Sequence, residues 1–419
     1  MATELPEPDA AARAHSERLT AHIRSAIAQS GGRIAFSRYM DLALYAPGLG
    51  YYAGGATKLG IAGDFTTAPE MTPLFAQALA VQVAAVLDAT RDREIVELGA
   101  GSGKLAAALL RALATLGALP SRYTILEVSP DLIERQRDTV ERRAPEHKAR
   151  VRWTASLPQT IDGALIANEV LDAIPCTLLV REAGQWRERG VGWEDAREDA
   201  RKDARKDAPL TARSAGGESV TQTARNSTSG HFVWSDAPAG PRDAALAALR
   251  FPPDGDYMSE INPAAEALVE DIGRRITAGA ALFIDYGFPA SEYYHPQRRH
   301  GTLMCHYRHR AHADPFAWPG LNDITAHVDF TVMAEAGERA GLQVAGFAAL
   351  APFLIGCGVL EKLAATGTPE SVLYIRAAAD VQKLLAPSEM GELFKVLALA
   401  RSEGIAWPGF DVVDRRHRL

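Results

Sequence analysis

The chain has 419 residues, 47% of them hydrophobic and 23% charged, a balance that allows two or three globular domains with a sizeable core. Its net charge of −7 argues against a chain-wide electrostatic grip on nucleic acid. Three scattered cysteines, Cys176, Cys305 and Cys357, form neither a disulfide framework nor a zinc pattern. No apolar run approaches the ~18 residues of a membrane span. Glu4, Glu7, Asp9 and Glu17 near the start argue against a targeting leader, so a cytoplasmic location is expected.

Leu19, Ile23 and Ile27 recur at four-residue spacing and predict a helix over 10–30. "IAFSRYMDLALYAPGLGYYAGG" (34–55) opens helically and runs into a Pro/Gly/Tyr-rich loop. The second half of "GDFTTAPEMTPLFAQALAVQVAAVL" (63–87) is an apolar helix, with Thr72 as N-cap and Pro73 in its first turn. From residue 94 strands and helices alternate: strands over 94–99, 122–129, 151–156 and 163–170, helices over 104–116 and 130–144. That order predicts an α/β fold built on a parallel, doubly wound sheet. A helix over 263–276 leads into a strand over 280–287, and 344–350 and 394–400 are later strand candidates.

Residues 171–262 interrupt the series. Asp recurs every four residues in "DAREDARKDARKDAP" (195–209), and 211–230 is rich in Ser, Thr and Gly. The composition predicts a solvated insertion, partly disordered around 195–230.

"EIVELGAGSGKL" carries the first chemical signal. A phosphate loop would need glycine where Leu98 stands and Ser or Thr where Leu105 stands, so it fails twice. The dinucleotide fingerprint fails at its last glycine, which is Lys104 here. A third ligand, S-adenosylmethionine, fits better. It has no phosphate, and its amino-acid part must pass close to the backbone, which suits Gly99, Gly101 and Gly103. Glu127, at the end of the next strand, can accept hydrogen bonds from both ribose hydroxyls and favours a cationic sulfonium. Glu97 can hold the ligand's ammonium. A tight strand–helix turn with no ligand is the competing reading. "ANEVLDAIP" (167–175) places Asn168, Glu169 and Asp172 just past a strand's C-terminal end, where ligands of open α/β sheets lie. Capping of a following helix is the alternative for these carboxylates.

The sequence resembles the MidA family of S-adenosylmethionine-dependent protein arginine methyltransferases, which includes bacterial members and a mitochondrial complex I assembly factor. The resemblance rests on "RYMDLALYAPGLGYY" (38–52), "GDFTTAPE" (63–70), "VELGAGSGKL" (96–105), "LEVSPDLIERQ" (126–136), "ANEVLDAIP", "FIDYGFP" (283–289) and "GLNDITAHVDF" (320–330). It implies a Rossmann-like class I methyltransferase core with a mostly parallel sheet, an N-terminal helical extension and a large insertion covering the substrate side. It also implies a protein substrate, with the arginine on a respiratory-complex subunit in the mitochondrial case. The charged repeat at 195–209 departs from the family pattern.

A protonated guanidinium is a poor nucleophile. Methyl transfer to it calls for carboxylates in fork-like pairing that draw positive charge onto the other nitrogens. Glu169, Asp172 and Glu260, the last in "MSEINP" before a proline-started helix, are the catalytic candidates. The expected cofactor-binding residues are Glu97, Gly99, Gly101, Gly103, Glu127, Asn168 and Asp64. Asp64 and Glu70 stand in "GDFTTAPE", a loop suited to a lid; a turn in which Asp64 bonds its own backbone competes.

His306, His309 and His312 recur beside Cys305, but a wet basic loop explains them more simply than a metal. Arg298, Arg299, Arg308 and Arg310 are candidates for contact with an acidic part of a protein partner, or are surface scatter. His327 and Asp329 are candidates for the substrate channel or the core.

The expected organisation is an N-terminal helical extension with a lid loop (1–90), the first half of the core (91–170), the insertion (171–262) and the second half with substrate-covering loops (263–419). A non-catalytic assembly factor that retains a cofactor pocket, and a small-molecule or RNA methyltransferase, are the alternative functions.

Overall fold

Short apolar runs, each closed by a turn and followed by a helix, dictate strands buried on both faces, and such strands pair in parallel. The computed structural model describes residues 5–54, 67–195 and 230–419. In chain order its strands are β1 (Arg33–Ala35), β2 (Glu94–Leu98), β3 (Arg122–Leu126), β4 (Val151–Thr154), β5 (Ile161–Asn168), β6 (Thr177–Glu182), β7 (Gln185–Asp195), β8 (Gly230–Pro238), β9 (Tyr257–Ile261), β10 (Ile276–Phe288), β11 (Met304–Tyr307), β12 (Arg310–His312), β13 (Asp323–Thr325), β14 (Val328–Asp329), β15 (Gln343–Ala349) and β16 (Phe394–Ala400).

The main sheet runs β15–β16–β10–β5–β2–β3–β4, with β14 beside the end of β10. β4, β3, β2, β5 and β10 are parallel, and β16 is antiparallel to both of its neighbours. From β2 the chain moves outward to β3 and β4, then returns to β5 on the opposite side of β2. That reversal opens a crevice at the C-terminal ends of β2 and β5, where α/β sheets bind ligands.

One face of the sheet buries the helices Pro73–Asp88 and Lys104–Thr115; the other buries Pro263–Arg275 and Phe330–Arg339. Thr72 caps the first of these helices by accepting from Leu74 N, with Pro73 at its first position. The sequence assigns this helix to the 1–90 extension. Its apolar residues cover most of its circumference, including Phe75, Leu79, Val83 and Val86, and such a helix seats in a core rather than on a surface.

A separate core joins the helices Ala10–Gln29 and Phe36–Tyr45 to β1, β6, β7 and residues Cys305, Ile324 and Ala326. β1 pairs antiparallel with β7, Ile34 opposite Val191. The described part of 171–262 thus contains an antiparallel sheet, β1–β7–β6–β9 with β8 on the other edge of β7. Strands such as β7, "QWRERGVGWED", carry charges on their solvated face and do not read as buried runs. Residues 196–229, with most of the charged repeat, lie outside the described residues.

β2 and β5 approach so closely that a Cβ added at Gly163 would lie 1.8 Å from the Glu94 carbonyl oxygen. Gly163→Ala is expected to cost more than about 3 kcal/mol, measured by denaturant unfolding; wild-type stability would contradict this close approach of β2 and β5.

Candidate functional site

The glycine turn after β2 adopts left-handed backbone at three positions: Gly99 (φ +60°), Gly101 (φ +52°) and Gly103 (φ +79°). Gly99 and Gly101 line a cavity of about 470 Å³ in the crevice, a volume suited to a small-molecule cofactor. A Cβ at Gly99 would stand 3.1 Å from Val170 Cγ2. Gly103 is not on the cavity wall. Its missing Cβ lets the turn pack on the helix Pro130–Arg143, where an added Cβ would lie 3.0 Å from Gln136 Cα. Gly103, expected at the cofactor, therefore serves helix packing.

Seven acids line the cavity: Glu70, Glu97, Glu127, Asp131, Glu169, Asp172 and Asp323. Lys104 is the one cation among the described lining residues. Its ammonium pairs with Glu70 Oε2 at 2.5 Å, and Ser102 donates to the other oxygen of Glu70. The lysine that resembled a phosphate-loop residue is thus engaged by a carboxylate. A wall of this charge repels phosphate and suits a cation.

Glu97 lies beneath the turn and accepts from Tyr123 Oη at 2.7 Å; burial raises its pKa to about 7, and that hydrogen bond restrains the rise. Glu127 ends β3. Its Oε1 accepts from Val128 N and Ser129 N, both at 2.9 Å, and its Oε2 from Gln136 Nε2 at 3.0 Å. Gln136 Nε2 also donates to the Gly101 carbonyl at 3.1 Å, so one buried amide fixes the spacing between turn and acid. Oε1 of Glu127 has both lone pairs engaged, and Oε2 keeps one for a ribose hydroxyl. The open turn, the acid one strand over and the acidic wall fit S-adenosylmethionine.

Past β5 the chain turns sharply, with Glu169 at φ +54°. Asp285, on the adjacent β10, organises this turn. Its Oδ2 accepts from Val170 N (3.1 Å), Leu171 N (2.8 Å) and Asp172 N (3.3 Å), and its Oδ1 from Tyr286 N (2.8 Å). Asn168 Nδ2 donates to Glu169 Oε1 at 2.9 Å. The segment continues through turns into β6, so no helix follows for Glu169 or Asp172 to cap. Both line the cavity. Glu169 Oε2 and Asp172 Oδ1 are buried without a hydrogen-bond partner among the described residues. Burial, reinforced by the charge of Asp285, raises Glu169 to about 8 and holds Asp172 well above the usual carboxylate range. Across from them Tyr52 donates to Asp323 Oδ1 at 2.9 Å and stacks on Tyr45 with ring centroids 5.5 Å apart; Tyr45 donates to the Ala173 carbonyl.

Glu260 does not join this group. It lies in β9 of the second sheet and off the cavity wall. Its carboxylate accepts from Thr302 N and Oγ1, Leu303 N and Tyr293 Oη, and so ties the 293–303 segment to the sheet. Asp329 caps the helix Phe330–Arg339 by accepting from Thr331 N and Val332 N. His327 is half-buried, with desolvation first and Arg298 next lowering its pKa to about 4. Cys305, His306 and His312 belong to the β11–β12 hairpin and His309 to its turn; no metal-holding group of His, Cys, Asp or Glu occurs among the described residues. Asp64 lies outside the described residues.

Sequence reasoning passed over Asp285, Asp323, Gln136, Tyr45 and Tyr52 as site residues. All stand within the quoted motifs, Asp285 in "FIDYGFP" and Asp323 in "GLNDITAHVDF". For Asp285 the available signal was an acid just short of a strand's C-terminal end.

Residues 78–348 match a protein family described as "Putative S-adenosyl-L-methionine-dependent methyltransferase". Among solved structures the chain is similar to a superfamily member from Burkholderia thailandensis bound to S-adenosyl-homocysteine: 46% identity, TM-score 0.88, covering 99% of this chain and 100% of that one. A native structure of a superfamily protein from the same organism gives 45% identity and a TM-score of 0.86 over the same shares. Among curated relatives, "Protein arginine methyltransferase NDUFAF7, mitochondrial" of Xenopus laevis is 27% identical over an alignment of 427 positions, covering 95% of this chain and 86% of the relative. Its Xenopus tropicalis counterpart is 29% identical, covering 74% and 69%.

Two expectations follow. Glu127→Ala weakens S-adenosylmethionine binding at least about tenfold in calorimetry, whereas Gly103→Ala lowers the melting temperature and leaves affinity within about threefold; the reverse pattern would refute the division between contact and packing. The second concerns pH. Because the folded pKa of Glu169 is raised, the folded state binds more protons than the unfolded between about pH 4 and 8, so stability from this group falls as pH rises through that window. Glu169→Gln should therefore flatten the stability–pH slope of the ligand-free protein and stabilise it at pH 8 by about 1–2 kcal/mol. A slope unchanged by the substitution would contradict the assignment.

Proposed function

This chain belongs to that family of S-adenosyl-L-methionine-dependent methyltransferases, and we propose that its methyl acceptor is an arginine side chain of a protein. The carrying observation is the pair of buried carboxylate oxygens on Glu169 and Asp172 that have no hydrogen-bond partner among the described residues, beside Asp323 and two tyrosines. A guanidinium presents five donors in a planar fork and stays charged. It matches acceptors set side by side and relieves the repulsion among them. The curated relatives named as arginine methyltransferases support the same acceptor.

S-adenosylmethionine, when bound, supplies the electrophilic methyl group. Glu169 and Asp172 accept hydrogen bonds from two guanidinium nitrogens and hold positive charge there, so the third nitrogen keeps electron density for attack. Tyr45 and Tyr52 wall the site and limit the orientations of a planar group. Attack forms one nitrogen–carbon bond as the sulfur–methyl bond breaks and the sulfur leaves as a neutral thioether, and the methylated guanidinium must lose one proton. Glu169, protonated in the ligand-free protein and ionised by the entering guanidinium, is the base that takes it and passes it to water.

The respiratory-complex subunit as acceptor protein rests on the resemblance to the mitochondrial members. The cytoplasm as site of action is supported by three cysteines that are free and buried. No helix among the described residues is long and apolar enough to cross a membrane. The acidic cavity disfavours nucleic acid as acceptor, whose phosphates it repels.

Mass spectrometry of the proteome after gene deletion should show methylarginine lost from one or a few proteins, restored by the wild-type gene. Glu169→Gln and Asp172→Asn should each lower kcat/KM about 100-fold or more, with cofactor affinity changed less than about threefold. Unaltered methylarginine on deletion, or full activity in both variants, would overturn the arginine reading.

A further inference from the structure

The sequence singled out arginines at 298–310 that the methyl-transfer chemistry does not use. The structure separates them. Arg308 reaches the Glu7 carbonyl and the Tyr307 ring on the β11–β12 hairpin. Arg298 belongs instead to a cationic cluster at the end of β10, the strand that carries Asp285.

Phe288 is the centre of that cluster. The Arg298 guanidinium carbon lies 4.1 Å from its ring centroid, and the Lys395 ammonium 5.5 Å. His327 tilts against the same ring at 5.3 Å and meets Tyr286 edge-on at 6.1 Å. Tyr286 feels the charges of Glu169 and Asp172, which raise its pKa after burial. Ala326 N, next to His327, donates to the Asp172 carbonyl at 3.0 Å. The cations lie off the cavity wall and connect to the segment of Asp172 through Phe288, His327 and Ala326.

Nearby acids are already engaged. Glu292 pairs with Arg418, and Glu392 pairs with Arg415. Lys395 donates to the carbonyls of Glu392 and Leu393. Arg298 is partly exposed and makes no ion pair among the described residues. A guanidinium stacked on an aromatic face keeps its in-plane N–H fork free for a carboxylate, and the stacking removes the entropy cost of aligning it.

Resting on the arginine reading above, we propose that this cluster reads the substrate: Arg298, backed by Lys395, binds the carboxylate of an Asp or Glu two to four residues from the target arginine. The spacing comes from the strand. Phe288 is three residues beyond Asp285, about 10 Å along β10, and an extended peptide spans that in about three residues. The acceptor site then has two poles. Acids take the guanidinium, and a stacked arginine takes the neighbouring carboxylate. Such a pair fixes the direction of the peptide and rejects arginines flanked by lysine.

The test uses the full-length protein, S-adenosylmethionine, and glycine/serine peptides with one arginine and a single Glu or Gln placed one to five residues away on either side. At the preferred spacing Glu over Gln should raise kcat/KM about tenfold, through KM, and the preference should fade with salt. Arg298→Ala should abolish the preference with kcat within about twofold. Arg298→Glu should transfer it to a peptide carrying Lys at that position. Equal rates with Glu and Gln at every spacing, or a preference that survives Arg298→Ala, would overturn the proposal. Should no arginine peptide be methylated, the arginine reading fails. Peptide affinity for the protein saturated with S-adenosyl-homocysteine, by fluorescence anisotropy, then decides this one separately. A Glu preference that needs Arg298 upholds it, and indifference overturns it.

Discussion

The side of the cavity proposed for the methyl acceptor depends on one carboxylate that is engaged by the backbone. Asp285 collects four backbone N–H groups, three of them from the turn that carries Glu169 and Asp172. The left-handed backbone at Glu169 costs about 1–2 kcal/mol. Each hydrogen bond to a charged acceptor returns about 1.5–3 kcal/mol, so three of them hold the turn comfortably. With those N–H groups occupied, the side chains of Glu169 and Asp172 are left to the cavity. The turn thus has acceptors pointing where a nest of N–H donors would otherwise have favoured an anion.

That arrangement concentrates acids beyond what they can ionise together. Burial first, then the charges of Asp285 and Asp323, raise the pKa of both Glu169 and Asp172. At rest the group holds protons. A cation entering among them favours ionisation, so its binding and proton release are linked. The same surplus explains Lys104. An unpaired ammonium in the glycine turn would attract anions and repel a sulfonium, and Glu70 neutralises it. The charge pattern, more than the glycine spacing, distinguishes this turn from a phosphate site.

Parallel strands and their crossover helices were legible in the sequence because burial on both faces makes each a continuous apolar run. The helix Lys104–Thr115 and strand β16 fall within a residue of the expected spans. The antiparallel sheet of the second core was not legible, since its strands are half solvated and pair across long separations, as β7 with β1. The candidate carboxylates show the same divide. Glu169 and Asp172 could be placed because they directly follow a strand of the main series. Glu260 also stands at a strand end, but β9 belongs to the other sheet. What decides is register: Ile284 lies opposite Asn168 in the parallel β5–β10 pair, which sets Asp285 against the backbone after Glu169. No local pattern in "FIDYGFP" encodes that neighbour.

The second core does more than cover the crevice. Tyr45 and Tyr52 come from the N-terminal segment, Asp323 from β13, and Asp172 from the turn after β5. They are tied across the boundary by Tyr45 donating to the Ala173 carbonyl and Ala326 N to the Asp172 carbonyl, while Tyr52 holds Asp323 within the second core. The acceptor pocket therefore forms only when both cores are folded and docked. The glycine turn, Glu97, Glu127 and Gln136 need the main sheet alone. A cofactor half that is complete within one core and an acceptor half shared between two lets the acceptor side diverge while cofactor geometry stays fixed. The price of that freedom is a proposed acceptor site whose precision rests on two hydrogen bonds between the cores.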